Sequence, residues 1–150
     1  MESLRPISPT LAVAGQPTPE DLKALKAEGY VGVVNLRNDG EPEQPIGTAA
    51  EGDLARAEGL DYLHYGVGGT PLSDPGVSSV CEFLDRHAGR KVLVHCRSGG
   101  RAQALALIHE ALSRGWPASE AAAKGRAMGL EVKGNLQMMV EQYLTSRAGV

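Results

Sequence analysis

Short apolar runs alternate with amphipathic stretches along most of the chain. Residues 11–14 are apolar throughout and closed by Gly15, the pattern of a strand buried on both faces. Thr18-Pro19-Glu20-Asp21 then supplies an N-cap, a proline at the first helical position and early acids, predicting a helix that runs through Leu22 and Leu25 to Gly29. Residues 30–36 resume as a strand. Residues 38–47 are acidic, proline-rich and almost without apolar side chains, so they predict an exposed loop. Thr48 and Glu51 stand at capping-box spacing and open a helix to about Glu58, and residues 60–65 read as the next strand. Residues 66–76 form a second loop, in which Asp74-Pro75 predicts a cap and first helical turn. Val77, Val80, Cys81, Leu84 and His87 follow on one helical face up to Gly89. Residues 91–94 are a further strand, and 101–114 a helix stopped by Gly115. Residues 119–128 and 135–146 suggest two more helices, divided by Gly129 and Gly134.

Strands alternating with helices imply an α/β fold, with a mainly parallel central sheet of four or five strands flanked by helices on both faces. Ligands of such sheets bind beyond the carboxyl ends of the strands. At 150 residues and 42% hydrophobic content the chain is expected to form one domain over 1–150. Its formal net charge of −3 offers no attraction to nucleic acid or to an anionic membrane, so any affinity for anions must be local. Cys81 and Cys96 make no disulfide framework, and a reactive thiol suits a reducing compartment. Residues 1–16 lack the charged start and apolar stretch of a secretory leader, and a cytoplasmic location is expected. The histidines at 64, 87, 95 and 109 have no ligand spacing, so neither a metal nor a cofactor is expected.

The chemistry concentrates in residues 91–102, KVLVHCRSGGRA. A buried strand delivers Cys96 into a glycine-rich turn, and a strong helix former follows. Amides of residues 97–101 can turn inward as a nest, with the positive end of the helix behind them. Arg101 adds a planar fork of donors suited to a tetrahedral oxyanion. The same field favours the thiolate of Cys96, the nucleophilic form. A packed strand-end thiol before a turn would need neither arginine. Elsewhere, His64 reads as a satisfied core histidine, His87 as a helix-end residue, His109 as helix surface or packing and Trp116 as a plug at a helix junction.

These residues carry a family likeness. Ile7-Ser8-Pro9, residues 15–20 (GQPTPE), 34–41 (VNLRNDGE) and 95–102 (HCRSGGRA) together resemble the bacterial beta-lactamase-hydrolase-like phosphatase family, a branch of the cysteine-dependent dual-specificity phosphatase fold. The resemblance covers roughly residues 7–115, and residues 116–150 are expected to pack on that body as a helical tail. It implies a metal-independent phosphatase with Cys96 as nucleophile and Arg101 as oxyanion clamp. By the same likeness His95 holds the loop and supports the thiolate, while Arg97, Ser98, Gly99 and Gly100 supply backbone amides. The implied substrate is a phosphorylated small molecule or phosphoprotein.

Two departures qualify that reading. Four residues separate Cys96 from Arg101, where phosphatases of the wider superfamily place five, and four is the interval of rhodanese sulfurtransferases. Rhodanese domains, however, usually carry Asp-x-Arg after an early strand, and this chain has Asn35-Leu36-Arg37. Ala102 also stands where many phosphatases have a hydroxyl that helps the thiolate leave. The acid that would protonate a leaving group has no carboxylate on the expected loop, residues 66–70. Asp39 is the first candidate, with Arg37 beside it as a second ligand for substrate oxygens and Asp74 as the alternative acid. Three classes therefore stand open: a cysteine-dependent phosphatase, a sulfurtransferase or persulfide-handling enzyme, and an oxyanion-binding module with little turnover.

Overall fold

The computed structural model describes residues 4–68 and 71–148. Among these residues five strands form one sheet: β1 (Arg5–Ser8), β2 (Leu11–Ala14), β3 (Tyr30–Asn35), β4 (Asp61–His64) and β5 (Lys91–His95), in the order β1-β2-β5-β3-β4. Only the β1–β2 pair is antiparallel. The pattern of the sequence predicts the four parallel strands, while β1, an exposed edge with little alternation, is a strand it does not single out. Among the described residues six helices complete the fold: α1 (Pro19–Leu25), α2 (Thr48–Ala57), α3 (Asp74–Arg86), α4 (Gly100–Arg114), α5 (Ala118–Ala127) and α6 (Gly134–Ala148). The result is an α/β fold with helices on both faces of a mostly parallel sheet.

Because strand side chains alternate in direction, each central strand feeds two cores. Leu11, Val13, Val34, Val92 and Val94 pack under α3 to α6 with Phe83, Leu105, Ile108 and Leu130. Ala12, Ala14, Val33 and Leu93 face the other way, against Leu22 and Leu25 of α1 and Ala55 of α2. The same alternation sends His95 to the α1–α2 side and Cys96 to the α4 side.

The parallel register aligns Ala14, His95, Asn35 and His64 in one row across the sheet. The four segments that leave this row, starting at Gly15, Cys96, Leu36 and Tyr65, emerge at one edge. β5 lies between β2 and β3, so its loop is flanked by both neighbours.

Several local expectations change. Gly47, not Thr48, is the N-cap of α2, which places Thr48 in the first turn and turns Glu51 into the protein, where it is 1% exposed. Ser73, not Asp74, caps α3 by accepting from the Gly76 amide. Asp74 instead binds Tyr143 Oη at 2.6 Å and Arg147 at 3.1 Å, tying α6 to the start of α3. His64 is exposed, because β4 is an edge strand, and its Nε2 bonds to the Arg37 carbonyl. Trp116 and Cys81 pack against the larger core as expected, and burial pushes the Cys81 thiol up to about 11. Among the described residues no helix is long and apolar enough to cross a membrane.

Candidate active site

Cys96 begins the turn from β5 into α4, and its amide still donates to the Ala14 carbonyl of β2 at 3.2 Å. The Gln16 amide holds the Arg97 carbonyl at 3.1 Å. The chain then reverses through Gly99, whose φ of +104° is the left-handed conformation that an L side chain resists. This conformation aims the Gly99 amide back at Cys96 Sγ, to which it donates at 3.1 Å. Gly99 is also the N-cap of α4, which has no side-chain cap and no acid in its first turn. α1 and α3, by contrast, are capped by Thr18 and Ser73. The first amides of α4 are thus left to the space above the sulfur, where they and the helix dipole favour negative charge.

His95 is fully buried beneath this loop. Its Nδ1 lies 3.3 Å from the Cys96 carbonyl oxygen, which can only accept, so Nδ1 carries a proton. Its Nε2 lies 2.6 Å from Glu51 Oε2. Glu51 Oε1 accepts from Gln16 Nε2 at 2.9 Å, and Gln16 Oε1 accepts from Arg37 at 2.8 Å. The loop carrying the thiol is therefore supported by a polar chain from β5 through α2 and the segment after β2 to the loop after β3. Glu51 is a site residue that the sequence reading missed, having taken it for half of a capping box. The available signal was its position in α2 on the same face as Ala55, one turn away.

The loop between β3 and α2 closes over the cradle from the other side. Arg37 is 0% exposed, and its donors go to Glu41 Oε1 at 3.1 Å, to Gln16 and to the carbonyls of Pro42 and Glu43. This corrects the expectation that Arg37 binds substrate oxygens: it is the buried hub of the loop. Glu41 takes the opposite part. Its two oxygens accept from Arg101 Nη1 and Nη2, each at 2.8 Å, and one accepts the Asn38 amide at 2.7 Å. The Arg101 hydrogen bonds, aided by Arg37 and the Asn38 amide and opposed by burial, hold the Glu41 carboxyl down to about 2. Arg101 is raised above its ordinary value, chiefly by Glu41 and further by the Cys96 sulfur. Its Nη1 also donates to the Val67 carbonyl at 2.9 Å, so the guanidinium is fixed before any anion arrives.

Asp39 lies apart from this arrangement. One oxygen accepts the Thr48 amide at 2.7 Å and the other the Thr48 hydroxyl at 3.0 Å, which holds the carboxyl below the usual range. Both oxygens secure the start of α2, a different arrangement from the free acid that the sequence predicts. Asp74 sits on Tyr143 and Arg147, as described. Arg97 reaches outward to Glu43, whose carboxyl it lowers, and Glu43 is held at a φ of +57° in the same loop. Ser98 is exposed and lines the adjoining cleft together with Arg97. Among the described residues no group of three or more His, Cys, Asp or Glu is placed to hold a metal ion.

The family model for the beta-lactamase hydrolase-like protein, phosphatase-like domain, matches residues 3–113. The chain belongs to this family. It is 35% identical over 127 residues to the beta-lactamase hydrolase-like protein of Xylella fastidiosa, and 35% identical over 113 residues to that of Agrobacterium fabrum. It covers 84% and 75% of itself in these matches but only 29% and 26% of the relatives' lengths. Among solved structures it is similar to a DUF442 protein of Shewanella putrefaciens, 25% identical with a TM-score of 0.75 over 97% of this chain and 93% of that one. It is also similar to Tk-PTP in its active form, 26% identical with a TM-score of 0.76 over 97% of each chain. The kinase associated phosphatase, at 20% identity and a TM-score of 0.70 over 89% and 83%, shares the fold. The family's phosphatase-like domain is thus present here, with Cys96 and Arg101 at the carboxyl edge of its sheet.

Proposed function

We propose that this domain is a cysteine-dependent phosphatase that hydrolyses phosphate monoesters without a metal. The observation that carries the reading is Cys96 Sγ on the Gly99 amide, at the uncapped start of α4, with a pre-positioned Arg101 as the second residue of that helix. In the first step the thiolate attacks phosphorus, an S–P bond forms and the P–O bond to the leaving group breaks. The loop amides and Arg101 take the charge of the equatorial oxygens. In the second step water attacks phosphorus, the S–P bond breaks, and phosphate and thiolate are released.

Acid assistance is weak in this account. Asp39, Glu41 and Glu43 are all held below their ordinary range by hydrogen-bond donors, so none carries a proton near neutrality. The departing oxygen then leaves largely unprotonated, which favours esters of acidic alcohols such as phenols.

The second reading is sulfur transfer, favoured by the four-residue interval between Cys96 and Arg101. The Gly99 amide already bonds to the sulfur itself, as a small ring around a persulfide would require. Assay of the purified protein with an aryl phosphate beside thiosulfate plus cyanide separates the two. The proposal expects Cys96-dependent phosphate release to exceed thiocyanate formation, and the opposite order replaces it with the sulfurtransferase.

A further inference from the structure

Two clefts flank the cradle, and their chemistry differs. The first, about 1020 Å³, has Asp21, Glu41, Glu43 and Arg97 on its walls, so acids outnumber bases. The second, about 510 Å³, lies between Val67 and Pro71 on one side and Leu136, Met138 and Met139 of α6 on the other. Arg101 borders it and is the one charged residue lining it among those described.

The α6 wall is a single helical face: its lining positions 135, 136, 138, 139 and 142 recur at the helical period. It touches the cradle directly, since a Cβ built on Gly100 would stand 3.1 Å from Leu136 Cδ1. Met138 is 56% exposed, and unbranched, polarisable methionine side chains adapt well to a flat aromatic surface. An oxyanion on Arg101 therefore has at its side a cleft whose other lining residues are apolar or, as with Asn135 and Gln142, uncharged, and a carboxylate-bearing cleft elsewhere. Resting on the phosphomonoester reading, we propose that the second cleft seats the organic group of the substrate. Leu136, Met138 and Met139 then set specificity for phosphate esters of apolar, uncharged aromatic groups, against esters whose organic part carries acidic neighbours.

Protection of Cys96 from iodoacetamide measures this without turnover. The probes are inorganic phosphate, methylphosphonate and 1-naphthylphosphonate. Naphthylphosphonate is expected to protect at about tenfold lower concentration than methylphosphonate, from the apolar area it removes from water. Met138→Glu, at an exposed position that the fold tolerates, and Leu136→Ala should each bring that ratio toward one. Thr145→Glu, on the exposed part of α6 outside this cleft, should not change it. Equal protection by the two phosphonates, or a preference that survives both cleft variants, overturns the subsite while leaving the cradle intact. Failure of all three probes to protect Cys96 overturns the oxyanion cradle, and the subsite falls with it.

Discussion

The loops that follow β5 and β3 leave neighbouring strands at the same edge of the sheet and meet on Arg101, yet they are built by opposite means. The β5 loop is short, and its chemistry lies in backbone: a thiol, a left-handed Gly99 and an uncapped helix start within residues 96–100. The β3 loop is long, and its chemistry lies in side chains: a buried Arg37 gathers the loop's carbonyls, and Glu41 crosses to the Arg101 fork. Amides at a helix start need only local sequence to be aligned. A guanidinium has freely rotating bonds, and holding it in one rotamer takes a second loop. The comparison teaches that the anion cradle is a local motif and its rigidity a tertiary contact.

Removing the local half should have the largest effect. Cys96→Ser should lower phosphate release at least about a thousandfold, since Cys96 is the one thiol at the cradle among the described residues. Arg101→Lys keeps the charge but loses the bidentate fork, and a fall in kcat of about a hundredfold is expected. Near-normal turnover in the lysine variant would show that the fork is not used.

The tertiary half should respond more moderately. Glu41→Gln keeps the shape but weakens the clamp on Arg101, and kcat should fall about tenfold with little change in KM. The same substitution has a stability signature. Glu41 is depressed in the folded state from the usual 4.5 to about 2, so its contribution is present above about pH 4.5 and is lost as pH falls toward 2. Chemical denaturation across that window should show a shallower acid loss in Glu41→Gln than in the parent. Identical slopes would place the stabilising carboxylates elsewhere.

The support beneath the loop comes next. Glu51→Gln leaves the buried His95 without its charged partner, and stability should drop by about 3 kcal/mol. The smallest effect is expected at Asp39. Asp39→Asn should lower stability slightly through the start of α2 and leave the dependence of rate on leaving-group acidity unchanged. A selective loss on poor leaving groups would return the acid role to Asp39.

The same contrast explains what was legible in the sequence. The four parallel strands, the order of helices and the cradle of Cys96 to Arg101 follow from apolar periodicity, glycine and the cap at Thr18, all of them local signals. β1 escaped because a four-residue exposed edge has no periodicity to read. Glu51 was hidden by a local alternative, a capping-box spacing that Gly47 pre-empts by becoming the N-cap. Arg37 and Asp39 were assigned to the substrate because their strand ends at the right edge. Strand direction places a residue at the edge but does not say whether Gln16 or Thr48 will claim its side chain. Glu41, in a loop whose composition reads as solvent-exposed, gave no sign of pairing with a residue 60 positions away.

The central claim is a covalent phosphoryl group on Cys96. Rapid acid quench of the protein turning over an aryl phosphate, followed by mass spectrometry of the peptide containing Cys96, tests it directly. The account predicts a phosphate adduct on Cys96 that is absent from Cys96→Ser and that accumulates most with the best leaving groups. An unmodified Cys96 under phosphate turnover, together with a persulfide at Cys96 after exposure to thiosulfate, would contradict it.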